Sequence, residues 1–236
     1  MAATERGNPM TNPLRRINTD QRTARFDPLN LREYYASDNL LGIPYVLRYD
    51  DTLPNRWHAW PDRKRATPLE GIHCFTDDYR FEPLWRSPDR YKINDRIICS
   101  PDFSIYPEWP LAAKQWQVFR SRWLARALQV RGAHVIPSVS WADPESWKYC
   151  FLGLPQDSTI AISAYGASRN PVEYREGFEA MRAALHPTRI VCIGGKLPEW
   201  LAPHVTYYPS LHVERLHHGR QRIEREHTTI TGDIYS

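Results

Sequence analysis

The chain has 236 residues, 42% of them apolar, and a formal net charge of +4 at pH 7. That length fits one large domain or a domain with tails, and the apolar fraction is enough for a real core. The near-balanced charge permits an acidic partner without demanding one, because strong nucleic-acid binders usually concentrate basic charge on one face.

No run of about eighteen apolar residues occurs, so no transmembrane helix is expected. The first sixteen residues, Met1 to Arg16, lack the apolar core of a secretory signal. The four cysteines, Cys74, Cys99, Cys150 and Cys192, form no C-x-x-C pair, which argues against a zinc ribbon. Three of them lie in apolar runs, where free cysteine behaves as a small hydrophobe. Together these features predict a reduced, cytoplasmic protein with no membrane partner.

Residues 1–28 are rich in Arg, Asn, Thr and Pro and poor in large apolar side chains. Such a composition cannot repay the entropy of ordering and predicts a flexible arm. A single domain is expected over 29–210, followed by a polar, flexible tail over 211–236. Within the domain, 29–35 predicts a short helix and 43–49 a strand. Residues 50–68, dense in Pro, Arg, Asp and Trp, predict an irregular loop packed down by Trp57 and Trp60.

A more regular pattern starts at Gly71. Apolar runs at 72–75, 97–99, 134–139, 159–164, 189–193 and 205–208 predict strands. Between them, 111–130 is the clearest helix, with Trp116, Phe119, Trp123 and Ala127 at helical spacing and Gly132 as its stop. Asp143-Pro144 and Asn170-Pro171 open two further helices, and 198–201 a short one. Alternation of strand and helix predicts an α/β fold, a parallel sheet with crossover helices. Short, nearly all-apolar strands fit a sheet covered on both faces. A barrel-like (β/α) closure and an open doubly wound sheet both satisfy this pattern. The barrel is favoured because the loops after successive strands carry polar or aromatic groups.

The stretch from Cys74-Phe75-Thr76-Asp77-Asp78 to Trp85, the Ser100-Pro101-Asp102-Phe103-Ser104 block and Trp116 with Arg120-Ser121-Arg122 form an ordered series of motifs. Gly132 through Ile136-Pro137 to Trp141, Ala161 to Gly166, and Cys192-Ile193-Gly194 continue it. The series resembles the uncharacterised family catalogued as domain of unknown function 4417, and the resemblance runs from Tyr45 to Trp200. It implies a setting in phages, plasmids and other mobile elements, and carries no established activity.

In a parallel sheet, ligands bind where strands end and loops begin. Asp77 and Asp78 follow the first regular strand, Asp102 the second and Asp143 the third. Clustered carboxylates suit Mg²⁺ or Mn²⁺, or divide acid and base roles between them. Asp102, Asp77 and Asp78 are thus the catalytic candidates, and a divalent metal the candidate cofactor. Asp143, followed by Pro, reads better as a helix cap. Trp141 and Tyr165 are candidates for a stacking wall, with Ser104 and Arg122 as further ligand-binding candidates.

Arg120, Arg122 and Arg126 on the long helix suit either phosphates or a buried ion pair with Asp102. The pair is the preferred reading. Arg120 and Arg122 are two positions apart, about 200° around a helix, so one should face inward or sideways and the other meet solvent. His73 and His134 read as strand starts, on the rim opposite the acids. Gly194-Gly195-Lys196 is a weak phosphate-cradle candidate, and P-loop, G-x-G-x-x-G, H-E-x-x-H and G-x-S-x-G patterns are absent.

Two functional readings follow. One is an enzyme-like rim acting on a nucleotide or nucleic acid. The other is a non-catalytic accessory factor that binds nucleic acid or a host protein. Carboxylates that converge at the rim favour the first; acids locked in ion pairs favour the second. The sequence specifies no oligomeric state.

Overall fold

Short strands hold only when neighbours complete their hydrogen bonds, and the chain meets this need with parallel pairs in strict sequence order. The computed structural model describes residues 33–209, together with Asn30 and the backbone of Arg15–Arg16. The expected arm over 1–28 and tail over 211–236 lie outside the described residues, apart from β1 (Arg15–Arg16), which pairs antiparallel with β2 (Glu33–Tyr34). β2 stands where a short helix was expected. Asn30, with φ 54°, breaks helical geometry just before it.

β3 (Trp57–Ala59), β4 (Gly71–His73), β5 (Ile97–Cys99) and β6 (His134–Ile136) form a four-stranded parallel sheet in that order. β7 (Thr159–Ile162), β8 (Arg189–Ile193) and β9 (Thr206–Tyr208) form a three-stranded parallel sheet. A parallel bridge from Ser138 to Ala161 joins the two. There the Ala161 N–H donates to the Pro137 carbonyl at 2.8 Å, and the Val139 N–H to the Ala161 carbonyl at 3.0 Å. Helices α1 (Glu82–Arg86), α2 (Leu111–Val130), α3 (Trp147–Cys150) and α4 (Pro171–Leu185) fill the crossovers. This is the α/β class of parallel strands and crossover helices.

Alternate residues of the strands point to opposite faces, and both faces are apolar. Trp57, Phe75, Cys99, Ile136, Ala161, Val191 and Ile193 share one cluster with Tyr49. Trp57 on β3 meets Tyr208 on β9 edge-on, with ring centroids 6.0 Å apart. On the other face, Ile72, Ile98 and Val135 pack with Trp123, Leu124 and Leu128 of α2. Ile160, Ile162 and Ile190 pack with Phe178, Met181 and Leu185 of α4. Each such side chain, fully buried, contributes about 1.5–3 kcal/mol.

The expected strand over 43–49 is extended but joins no ladder. Its backbone is satisfied by side chains and loops. Leu47 exchanges two 3.0 Å bonds with the Gln129 amide, and the Val46 N–H donates to the Gly153 carbonyl at 2.8 Å. The expected irregular loop over 50–68 contains β3 and a 3-10 helix, Trp60–Arg65. Three residues with one large apolar side chain on the inner face carry no readable run. Gly132 ends α2 with φ +83°, where only glycine is unstrained. α3 starts at Trp147, later than the Asp143-Pro144 signal suggests. Residues 198–201 form a turn, with a 3-10 helix following at Ala202–His204. No described helix is long and apolar enough to cross a membrane.

Candidate functional site

Asp102 stands just past the end of β5, a strand with a parallel neighbour on each side. Two buried serines set its position. The Ser138 N–H donates to Ser100 Oγ at 2.7 Å, and Ser138 Oγ donates to the Ser100 carbonyl at 2.8 Å. The Ser100 N–H donates in turn to the Ile136 carbonyl at 2.9 Å. Buried polar groups need partners, and this reciprocal pair satisfies both loops where the ladder stops. It also aligns them, bringing Asp102, two residues past Ser100, to Ser140, two residues past Ser138. The Ser140 hydroxyl hydrogen-bonds the Asp102 carboxylate.

Burial pushes the Asp102 carboxyl up to about 6. The Ser140 bond opposes the shift, the charge of Asp78 adds to it and that of Arg122 opposes it. The residue keeps a partly open edge to solvent. A carboxyl poised near neutrality can both take up and release a proton. The Cys74 and Cys99 thiols nearby are pushed far up by burial, and the Asp102 charge adds to the shift. They therefore stay protonated and are poor nucleophiles. Tyr174 on α4 is raised in the same way, by burial first. Its hydroxyl donates to the Ser163 carbonyl at 2.8 Å.

The other rim acids are engaged. Asp78 accepts the Ser104 N–H at 3.1 Å and the Ser104 hydroxyl at 2.9 Å, with the Gln117 amide at 3.5 Å. Burial raises its pKa against those bonds to Ser104. Asp77 is exposed and pairs with Arg80 at 3.1 Å. Asp143 receives the buried Lys114 ammonium at 2.7 Å and the Ser146 N–H at 2.7 Å. Burial works against its ionised form, but Lys114 and the Ser146 N–H hold its pKa below the usual range. Asp78 and Asp102 thus share one rim, while Asp77 turns to solvent. Among the described residues no three His, Cys, Asp or Glu side chains gather as a metal-holding group.

Arg122 is buried, and its donors go to three backbone carbonyls. Nε reaches Leu152 at 3.3 Å, Nη1 reaches Ser138 at 3.0 Å and Nη2 reaches Cys150 at 2.6 Å. Burial lowers its pKa to about 10, with Cys150 and Asp102 opposing. Arg120 pairs with Glu82 of α1, donates to Gln117 Oε1 at 3.1 Å and lies 3.7 Å from the centre of the Phe103 ring. The expectation that one of the two meets solvent is therefore corrected. α2 is covered on opposite sides, with ten of its twenty residues buried. The ion pair forms between Arg120 and Glu82 rather than with Asp102.

Trp141 is packed against α4. Its ring lies 5.2 Å from that of Tyr174, and a Cβ on Gly177 would fall 2.2 Å from the indole. Tyr165 stays 47% exposed at the end of β7, free to offer a ring face. Ser104 is held by Asp78. Gly194 and Gly195 both have positive φ, +71° and +70°, and a Cβ on either would come within 2.7 Å of Tyr165 or Ala164 atoms. Close approach of two loops accounts for this glycine pair, and Lys196 beyond it is exposed. His73 closes β4 instead of opening it. It is buried, its Nδ1 has no partner, and burial followed by the neighbouring His58 pushes it down to about 4. His134 is half-exposed, 3.4 Å from Asp51. Sequence reasoning missed Ser100, Ser138, Ser140 and Tyr174. The one available signal was a serine just past each of two neighbouring apolar strands.

These features define a protein of parallel strands and crossover helices with a raised, partly open carboxyl, Asp102, just past the end of a central strand. The chain belongs to the family described as a domain of unknown function (DUF4417), whose model matches residues 35–206. It is 34% identical to the Gene 1 protein of Mycobacterium phage D29 over 199 residues, which cover 79% of this chain and 73% of that protein. It is 36% identical to the Gene 1 protein of Mycobacterium phage L5 over 200 residues, covering 79% of this chain and 86% of that protein. No solved structure matches the chain.

Proposed function

We propose that the C-terminal rim of the strands is an enzyme-like site in which Asp102 transfers a proton on a bound nucleotide or nucleic acid. The observation that carries this reading is the carboxyl itself. It is raised to about 6, bonded to Ser140 and left without a direct cation contact. Such a group is tuned for acid–base work rather than for structure.

Further features support the reading. The strands follow chain order, their inner residues share one cluster, and Trp57 on β3 meets Tyr208 on β9. We read this as a barrel-like (β/α) arrangement, whose active residues come from strand C-terminal ends. The exposed Tyr165 ring and the exposed Lys196 on the next loop suit a base face and a phosphate. Phosphates bring Mg²⁺ with them, and an ion so held needs only one or two protein carboxylates, a role open to Asp102 and Asp78. Four buried free cysteines suit a reducing cytoplasm.

A second reading, non-catalytic binding of nucleic acid or a host protein, is favoured by the ion pairs that occupy Asp77 and Asp143. Calorimetric titration separates the two. Nucleoside mono- and triphosphates and short oligonucleotides are added with and without Mg²⁺, to the parent and to Asp102→Asn and Asp77→Ala variants. The enzyme-like reading expects ligand turnover that Asp102→Asn abolishes and Asp77→Ala spares. Binding of an oligonucleotide with no turnover, unchanged in Asp102→Asn, would establish the second reading instead.

A further inference from the structure

We propose that a basic surface at the starts of the strands, on the rim opposite Asp102, holds the phosphate backbone of a nucleic acid through Lys64, Arg65, Arg90 and Lys92. The proposal does not rest on the Asp102 reading.

Two segments far apart in sequence make this surface. One is the 3-10 helix Trp60–Arg65 with Ala66 after it. The other runs from the 3-10 helix Pro88–Arg90 to Arg96, just before β5, whereas Asp102 lies just past the end of that strand. The segments are fastened on their inner sides. The Tyr91 ring meets the buried Trp60 edge-on, with centroids 5.2 Å apart. The Arg63 guanidinium lies 4.6 Å from the centre of the Trp60 ring and 5.0 Å from that of Tyr91, and it donates to the Trp60 carbonyl at 3.0 Å. Arg96 Nη2 donates to the Ala66 carbonyl at 2.7 Å.

What these ties leave outside is positive charge. Tyr91 is extended, with φ −108° and ψ 124°, so a ring turned inward sends the side chains on either side of it outward. Those are Arg90 and Lys92, both exposed, and Lys64 and Arg65 are exposed next to Arg63. Among the described residues Lys64, Arg90 and Lys92 have no carboxylate partner. Arg65 has Asp62 at 3.4 Å, also open to solvent. Of the other acids in the two segments, Asp89 is drawn off to Arg131 at 2.7 Å and Asp95 is exposed. Like charges held side by side repel one another, and an anionic partner relieves this.

The chemistry selects the occupant. Guanidinium forks and ammonium groups both suit phosphate oxygens. A nucleic acid presents one such charge per nucleotide, so neighbouring cations can be met by one strand whatever its bases. A membrane surface is held best where an apolar anchor accompanies the charge, and the two segments hold no exposed large apolar side chain. Catalytic loops of such folds gather at the opposite ends of the strands, so this surface binds and does no chemistry.

The test uses the full chain and a fluorescent single strand of about twenty nucleotides, with affinity read by anisotropy from about 50 to about 200 mM salt. With about four phosphate contacts, log affinity should fall against log salt with a slope of about −3 or steeper. Lys64→Glu, Arg90→Glu and Lys92→Glu together alter exposed side chains with no described ion-pair partner, so the melting temperature should hold. This triple variant should bind at least about tenfold more weakly, with a slope flatter by about 2. A triple variant that binds like the parent puts the contacts elsewhere on the chain and overturns the proposal. So does a parent with no measurable affinity at about 50 mM salt. Vesicles rich in phosphatidylserine, or polyglutamate, bound more tightly than the oligonucleotide at equal salt would reassign the surface and overturn it too. If the triple variant does not fold, Lys64→Gln with Lys92→Gln decides, with an expected flattening of about 1 and the same refuting result. Asp102 is judged by turnover and this surface by salt-dependent affinity, so either reading can fail while the other stands.

Discussion

Replacing Asp102 by Asn should stabilise the protein at alkaline pH and leave it nearly unchanged in acid. The carboxyl rises on folding from an ordinary 3.8 to about 6, chiefly through burial. A shift of about two units corresponds to about 3 kcal/mol, and the partly open edge of the residue reduces this to about 2 kcal/mol. The direction follows from proton binding. The folded state binds the proton more tightly than the unfolded state, so this group favours folding in acid. Its contribution is fully present below about pH 4 and lost as pH rises through about 6. Above that, an ionised carboxylate sits where a neutral group would be better tolerated. Asn keeps the shape and the bond from Ser140 but cannot ionise. Urea denaturation of parent and variant should give a gap of about 2 kcal/mol at pH 8, shrinking to under about 1 kcal/mol near pH 4. A gap that stays constant across this range, or a variant less stable than the parent at pH 8, would refute the assignment of Asp102 as a buried, destabilised carboxylate.

Arg120→Glu places like charges beside Glu82 and removes the cation over Phe103, so urea melts should show a loss of about 2–4 kcal/mol. Adding Glu82→Arg should restore part of it. Gly177→Ala puts a Cβ 2.2 Å from the Trp141 indole and should lower stability by about 1–3 kcal/mol, read as a fall in melting temperature. Ser138→Ala takes the hydroxyl donor from the buried Ser100 carbonyl and should cost about 1–3 kcal/mol. Ser100→Ala breaks the other bond, the one from the Ser138 N–H, so the double change should cost more than either single change in the same urea melts.

Much of the architecture was legible because it is written in apolar runs. Ile97–Cys99, Thr159–Ile162 and Arg189–Ile193 are nearly unbroken, and each became a strand of a sheet covered on both faces. β3 was not legible. Trp57-His58-Ala59 has one large apolar side chain, and its strand character comes from pairing with Gly71, Ile72 and His73. Residues 43–49 misled for the opposite reason. The run reads as a strand, yet the backbone partners of Val46 and Tyr49 are Gly153 and the Ser158 side chain, which no local pattern foretells. α2 shows the limit of periodicity. Trp123, Leu124 and Leu128 mark the face against the sheet, but Lys114, Gln117 and Arg122 are buried too. Helical spacing cannot distinguish a polar face that meets water from one that meets another loop.

The same limit explains why the acids were visible and their roles were not. Four aspartates at strand ends look equivalent in sequence, and each met a different environment. Asp77, just before a 3-10 helix at Asp78–Arg80, found Arg80 three residues along, a local partner that the sequence displays. Asp143 found Lys114, twenty-nine residues away, and Asp78 found Ser104, twenty-six residues away. Both of those depend on which loops the sheet brings together. Among the described residues Asp102 has no ion-pair partner, and Arg122, whose charge acts on it, spends its donors on carbonyls. That choice was made by Ser100 and Ser138, two small residues with no chemical signature of their own. Their reciprocal bonds set the spacing between the loops after β5 and β6, and so decide that Asp102 faces a hydroxyl instead of a guanidinium. A direct ion pair would have pulled the carboxyl well below the ordinary range and made it inert at neutral pH. Burial instead raises it to about 6, against the Ser140 hydroxyl and the charge of Arg122, where a proton can move in either direction.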